Sequence, residues 1–502
     1  MSQPPLDALL AEGTLAGQAG DFDHAIACFS AALKQAPRHP GIMLYLSKAY
    51  GLSFRYADAE RWLQAALRTA PLNERVLRLA AQNYQDWDRP ERALPLLRQA
   101  TASHRNAQNW LALGRALERA NQLPPAQDAA AQAAELAPGD AGVLHLQGRL
   151  AQRSGDLAAA ERWFRTALQG QPAPEEAAEI WYSCATLFDA AHRFDEAWAA
   201  ATQAKTLQRQ LADALRAPPE AWRDELRQIE TWLPARISGT EHAPAASGLV
   251  ILCGYPRSGT TLLGQILAGH PHTNYADEVL ALAHVLRLGE NFTEPAAADW
   301  FLRANANQRE SLRREYRRCL EAQIGKRLDW SKPAIIDKNP AVTRSVPALY
   351  SLFPKLKVVF PLRDPRDLAI SCYLRPFPVN AFTAHFNRPE TIASHLRVNY
   401  TLWKAMCGHL PLDRMEVRYE QLVAAPTETS QTVCRFLGLD PGLLPADHRP
   451  SAARRFIHSP TYAEVLQPIH RSVVGRWEAY ASHLGPCLDA LHELAREQGY
   501  AS

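Results

Sequence analysis

At 502 residues the chain is too long for one ordinary core, which implies two or three domains. Its 47% hydrophobic and 21% charged residues exclude a disordered chain and indicate a folded, globular one. A formal charge of only +3 excludes a broad basic footprint, so no nucleic-acid partner is expected. The opening MSQPPLDALLAEG has neither a basic region nor a continuous apolar core, so no signal peptide is expected. No run of about 18 apolar residues follows, so no membrane association is expected either. The eight cysteines form no CxxC pair and no metal-ligand spacing, which fits reduced thiols and a cytoplasmic location.

The first half repeats itself. GDFDHAIACFSAALKQAP (20–37) overlays RYADAERWLQAALRTAP (55–71), with Ala25 and Ala59, Ala32 and Ala66, and Pro37 and Pro71 each 34 apart. Ala93 and Ala100 follow at the same interval. After a register change of one come Ala126, Ala133 and Pro138, then Ala160, Ala167 and Pro172, and after a short insertion Ala197 and Ala204. Alanines at i and i+7 let antiparallel helices approach closely, and the prolines close the second helix of each pair. Segments such as MLYLSKAYG and VLHLQGRLA supply the partner helices. A generic helical bundle with coincidental spacing is the bland alternative. The period and the A…A…P spacing resemble the tetratricopeptide repeat over roughly residues 10–215, which implies a superhelix with a concave, binding-competent face. Its work would be to bind a partner or to brace the next domain.

Residues 216–248 read as one capping helix followed by a Pro/Ala/Ser/Gly-rich linker. From 249 the texture changes to short apolar runs, LVILCG (249–254), AIID (334–337), LKVVFPL (356–362) and RMEVR (414–418), each trailed by helical periodicity. That pattern predicts an α/β domain with a parallel sheet whose ligands sit beyond the carboxyl ends of the strands.

The first run leads into GYPRSGTT. Set against GxxxxGK[ST], the glycines are Gly254 and Gly259, and the lysine position is Thr260. The loop's own cation is Arg257, and no acidic metal ligand follows a later strand in the pattern of a magnesium nucleotide hydrolase. A degenerate P-loop kinase is the alternative. PRSGTTLLGQIL resembles the 5′-phosphosulfate-binding loop of the sulfotransferases. That resemblance assigns Arg257, Ser258, Gly259, Thr260 and Thr261 to 3′-phosphoadenosine 5′-phosphosulfate (PAPS), a sulfuryl donor used with no metal required.

A second motif, PLRDPRDLAISCYLR, places Arg363, Ser371 and Arg375 after an apolar strand. In the sulfotransferases an arginine and a serine eight residues later hold the cofactor's 3′-phosphate, and Arg375 is i+4 from Ser371, on the same helical face. A charged turn before an ordinary helix is the plain alternative. An acceptor hydroxyl needs a base. Tyrosylprotein sulfotransferases carry a glutamate 21 residues after the loop arginine, which is Glu278 here, with Asp277 its neighbour and competitor. IIDKNP resembles the family's lysine motif and gives Lys338 a role on the bridging oxygen and the transferring sulfate. SPTYAEVLQPIHRSVVGRWEAY (459–480) resembles the cofactor-closing segment. It places Thr461 where the family has a catalytic serine, Ser459 as its substitute, and Arg476 at a 3′-phosphate position; RYEQLV puts Tyr419 near the cofactor.

The sequence thus predicts an N-terminal α-helical tetratricopeptide superhelix (1–215), a capping helix and linker (216–248), and a P-loop-like α/β sulfotransferase domain (249–502). The resemblance implies transfer of a sulfuryl group from PAPS to a hydroxyl, a tyrosine in a peptide or protein bound with help from the array. Transfer to a small molecule, glycan or lipid remains open, as does a non-catalytic nucleotide-binding scaffold. Oligomeric state is unknown from sequence.

Overall fold

Pro37, Pro71, Pro138 and Pro172 each fall just past a helix end in the computed structural model, which describes residues 4–214, 248–290, 304–378, 383–455, 457, 459, 462–485 and 487–501. The proposed capping helix and linker, apart from residue 248, lie outside the described residues. Ten helices fill the first compact unit, Met1–Gln171: α1 (Leu6–Gln18), α2 (Phe22–Gln35), α3 (Pro40–Leu52), α4 (Tyr56–Thr69), α5 (Glu74–Asp86), α6 (Pro90–Ser103), α7 (Ala107–Arg119), α8 (Leu123–Leu136), α9 (Ala141–Arg153) and α10 (Leu157–Gln169). Five of them start where the sequence places short polar acceptors. Asp21, Asn73, Asn106, Asp140 and Asp156 each accept the backbone N–H three residues on.

The repeat alanines are the close-contact points. Ala25, Ala32, Ala59, Ala66, Ala93, Ala100, Ala126, Ala133, Ala160 and Ala167 are all fully buried. Nothing larger than a methyl lets the paired helices approach this closely. Gly51 takes the same logic further, because a Cβ there would lie 1.9 Å from the Trp87 indole nitrogen. Within each pair the turn is made by a left-handed residue: Gly20, Phe54, Asp88, Asn121 and Gly155, with φ between 58° and 88°. Glycine, aspartate and asparagine suit that region, so only at Phe54 does a turn register fixed by the helices override local preference.

The second compact unit is Pro172–Ser502. It opens with one more helix pair, α11 (Pro174–Ala190) and α12 (Phe194–Ala214), in which Ala197 and Ala204 are again fully buried. Among the described residues its sheet has five parallel strands: β1 (Leu249–Leu252), β2 (Asn274–Asp277), β3 (Ile335–Lys338), β4 (Lys357–Leu362) and β5 (Asp413–Arg418), in the order β2-β3-β1-β4-β5. Four match the predicted runs to within a residue or two. β2 is the exception. It is four residues long, and its first two residues are only half-buried, so no apolar run announces it.

Val250, Leu252, Ile336 and Val359 on the sheet pack with Leu263, Ile266 and Leu267 of the helix Thr260–Ala268. This core sets the helix N-terminus at the carboxyl end of β1. The chain order reverses on either side of that strand, the place where open α/β sheets bind ligands. Among the described residues no helix is long and apolar enough to cross a membrane.

Candidate active site

The loop between β1 and the helix Thr260–Ala268 is shaped by three residues of positive φ: Gly254 (157°), Arg257 (74°) and Gly259 (98°). Gly259 is obligatory twice over. Its φ suits glycine, and a Cβ there would come within 2.6 Å of the Tyr419 ring. The turn aims the unpaired N–H groups of a helix start at the space beyond β1, an arrangement suited to an anion. A cleft of about 500 Å³ occupies that space. Arg257, Gly259, Thr260, Thr261, Glu278, Arg363, Ser371, Arg375, Tyr419, Ser459 and Arg476 all line it. The residues picked from separate motifs therefore meet at one cavity.

One side of the cleft is cationic. Arg257 Nε donates to Ser371 Oγ at 3.0 Å, and Arg363 donates through one nitrogen to the Arg257 carbonyl at 3.1 Å and through another to the Val473 carbonyl at 2.9 Å. The Arg363 guanidinium also lies over the Tyr419 ring, 4.6 Å from its centre. Burial draws the Arg257 guanidinium down to about 10, with Glu464 opposing the shift and Arg375 and Arg363 adding to it. Asp367 accepts the backbone N–H groups of Gly475 at 2.8 Å and Trp477 at 2.9 Å. The helix Pro365–Tyr373, which carries Ser371, thus also anchors the segment that carries Arg476.

The other side bears Glu278, which is ion-paired with Lys338. Lys338, at the end of β3 and fully buried, places Nζ 2.5 Å from Glu278 Oε1 and 3.1 Å from Asp277 Oδ1. Burial alone would lower this lysine, but Asp277 and Glu278 outweigh it and raise its pKa above the ordinary value. The register explains the placement, because Asp277 on β2 is the direct neighbour of Lys338 on β3. Glu278, one residue past the strand with φ 53°, turns out of the sheet into the cleft. Asp277 stays inside and also accepts the Tyr275 hydroxyl at 3.2 Å. Lys338 itself does not line the cleft. Thr461 lies outside the described residues, and Ser258 is buried in the loop beside the cleft rather than lining it.

Sequence reading missed Glu464. Its half-exposed carboxylate lines the cleft, pairs with Arg375 and reaches Arg257 at 3.8 Å. Burial would raise this carboxyl, yet Arg375 and Arg257 hold it below the usual range. The one available signal was an acid inside a stretch expected to contact anions. Also missed was Asp189, which accepts Arg476 at 2.6 Å and the Tyr480 hydroxyl at 2.7 Å.

Comparison with known proteins identifies two sequence families in the chain. Residues 250–441 match the model of the sulfotransferase family, and residues 10–74 match that of the tetratricopeptide repeat. The chain is 26% identical to an uncharacterised protein of Aquifex aeolicus (strain VF5), over 53% of this chain and 35% of that one. It is 24% identical to a protein-tyrosine sulfotransferase of Drosophila melanogaster over 46% of each. With protein-tyrosine sulfotransferase 1 of Danio rerio it shares 26% identity over 38% of this chain and 53% of that one. The matched stretches therefore span about a third to a half of these relatives' own lengths. The chain carries a sulfotransferase-family domain over residues 250–441, preceded by tetratricopeptide-repeat sequence over residues 10–74.

Proposed function

We propose that the chain transfers a sulfuryl group from PAPS to an acceptor hydroxyl, that of a tyrosine in a peptide or protein. The observation that carries this reading is the meeting on one cleft of four arginines and Glu278, whose carboxylate is paired with Lys338 buried behind it. The residues present fit the donor. Among the described residues, Nε of Arg363 and of Arg476, both cleft-lining arginines, are buried with no hydrogen-bond partner, so donors stand ready for phosphate oxygens. The cavity falls within the range of small-ligand sites, roughly 300–1,000 Å³.

PAPS, when bound, supplies an activated sulfuryl group on a phosphate leaving group. Arg257 to Thr261 bind its 5′ end through backbone N–H groups and hydroxyls. Arg363, Ser371, Arg375 and Arg476 bind the 3′-phosphate, with Tyr419 backing Arg363. Glu278 takes the acceptor's proton at a carboxylate oxygen, Oε1 being fixed by Lys338. Lys338 offsets the charge of both carboxylates and reaches the transferred group only by exchanging its bond to Glu278. The repeat array offers a surface of the kind that binds peptides.

Thermal-shift titration tests the reading. 3′-Phosphoadenosine 5′-phosphate (PAP) should raise the unfolding temperature at concentrations where ATP with magnesium does little. Arg363→Met should weaken PAP by about 2–3 kcal/mol, the loss of a charge-assisted contact. Labelled PAPS should then pass its label to tyrosine peptides rather than to sugars, lipids or small phenols. Equal protection by ATP with magnesium overturns the assignment in favour of a kinase.

A further inference from the structure

Helices α11 and α12 continue the repeat pattern yet cluster with the sheet rather than with Met1–Gln171. Their contacts with residues that line the cleft are specific. Asp189, near the end of α11, accepts Arg476 at 2.6 Å and is itself held by the Tyr480 hydroxyl at 2.7 Å. Thr186, three residues earlier and so on the same face, accepts Arg375 at 3.1 Å. Lys205 of α12, fully buried, donates to the carbonyls of Cys372 and Arg375 at 3.3 Å each. Two arginines of the cationic wall are therefore oriented by one face of a repeat helix.

We propose that this helix pair backs the PAPS site from behind its arginines, with Asp189 the positioning residue that aims Arg476 at the 3′-phosphate and Thr186 doing the same for Arg375. The inference rests on the sulfuryl-transfer reading above. A free arginine carries large rotamer entropy, whereas one edge of its planar fork pinned by a fixed carboxylate leaves the other donors pre-aimed. Arg476 shows that division: one terminal nitrogen is bonded to Asp189, and Nε is buried with no partner.

The alternative for Asp189 has the opposite sign. A carboxylate that merely neutralised Arg476 would repel a nearby phosphate, and its removal would tighten binding. The test compares PAP with adenosine 5′-phosphate, which lacks the 3′-phosphate, on the full chain by calorimetric titration. Positioning predicts that Asp189→Asn weakens PAP about tenfold or more, the usual cost of a lost charge-assisted hydrogen bond. Adenosine 5′-phosphate should bind as before, so that discrimination for the 3′-phosphate shrinks.

Thr186→Val keeps the shape of the helix and should reduce discrimination about tenfold, the share of one hydrogen bond from a guanidinium donor. It decides the question if Asp189→Asn does not fold. Tighter or unchanged PAP binding in the variants overturns the proposal, as does equal weakening of both nucleotides. Failure of the unmodified chain to prefer PAP refutes the PAPS reading itself, before any variant is compared.

Discussion

Lys338 Nζ lies between two consecutive carboxylates, 2.5 Å from Glu278 and 3.1 Å from Asp277, with one carboxylate facing the cleft and the other buried. The same cation thus joins two residues with different duties. Glu278→Gln should lower turnover roughly 10²–10⁴-fold, the range for a positioned general base, while PAP affinity stays within about twofold. Asp277→Asn is not a neutral control. It strips a fully buried ammonium of one of its two carboxylates, so it should lower the unfolding temperature, and its effect on turnover should be the smaller of the two. Single-turnover rates, PAP titrations and melting curves of both variants check this. A larger turnover loss from Asp277→Asn would move the base to position 277.

In the array, Gly51 and Gly139 form a matched pair. A methyl at Gly51 meets the Trp87 ring at 1.9 Å, whereas one at Gly139 meets nothing within 4 Å. Gly51→Ala should destabilise the chain by about 1–3 kcal/mol through overpacking. Gly139→Ala should be neutral or stabilise by a few tenths of a kcal/mol through the unfolded chain. Denaturant unfolding followed by helical circular dichroism distinguishes the two. Equal effects would mean that the packing of α3 against Trp87 does not limit stability.

Asp337 on β3 gives a pH signature. Its carboxyl is fully buried and accepts the Tyr316 hydroxyl at 2.5 Å. Burial is the main cause that lifts it from an ordinary 3.8 to about 6, with Tyr316 and Lys338 opposing and Asp277 adding. Between about pH 4 and 6 the folded chain therefore holds a proton that the unfolded chain has released. The group's contribution is fully present below the lower value and is lost as pH rises through the upper one, an amount of at most about 3 kcal/mol. Asp337→Asn should flatten that decline. The measurement is unfolding free energy from pH 4 to 8, and parallel curves for the two proteins would exclude Asp337 as its source.

Local patterns made much of this molecule legible. The array could be read because every repeat poses the same packing problem, and a helix pair solves it only with small residues at Ala25, Ala32 and their copies. β1, β3 and β4 showed as apolar runs because both of their faces are covered, whereas β2 is half-covered and escaped, and β5, buried only at Val417, showed by its alternation alone. Most of the candidate cleft was written in short motifs, since a phosphate-type loop and a strand-end arginine each depend on only a few consecutive residues.

What the tertiary structure decided is everything that joins segments far apart in the chain. Asp189 meets Arg476 across 287 residues, and no spacing rule operates over that distance. Glu464 faces Arg257 and Arg375 only because the segment carrying it is held over the cleft by Asp367 and Arg363. Family spacing singled out Glu278 over Asp277, but the different placement of the two carboxylates was not legible in the sequence. Two adjacent acids are equivalent as letters, and they part only where β2 ends and the backbone turns through a left-handed residue, sending one carboxylate into the sheet and the other into the cleft.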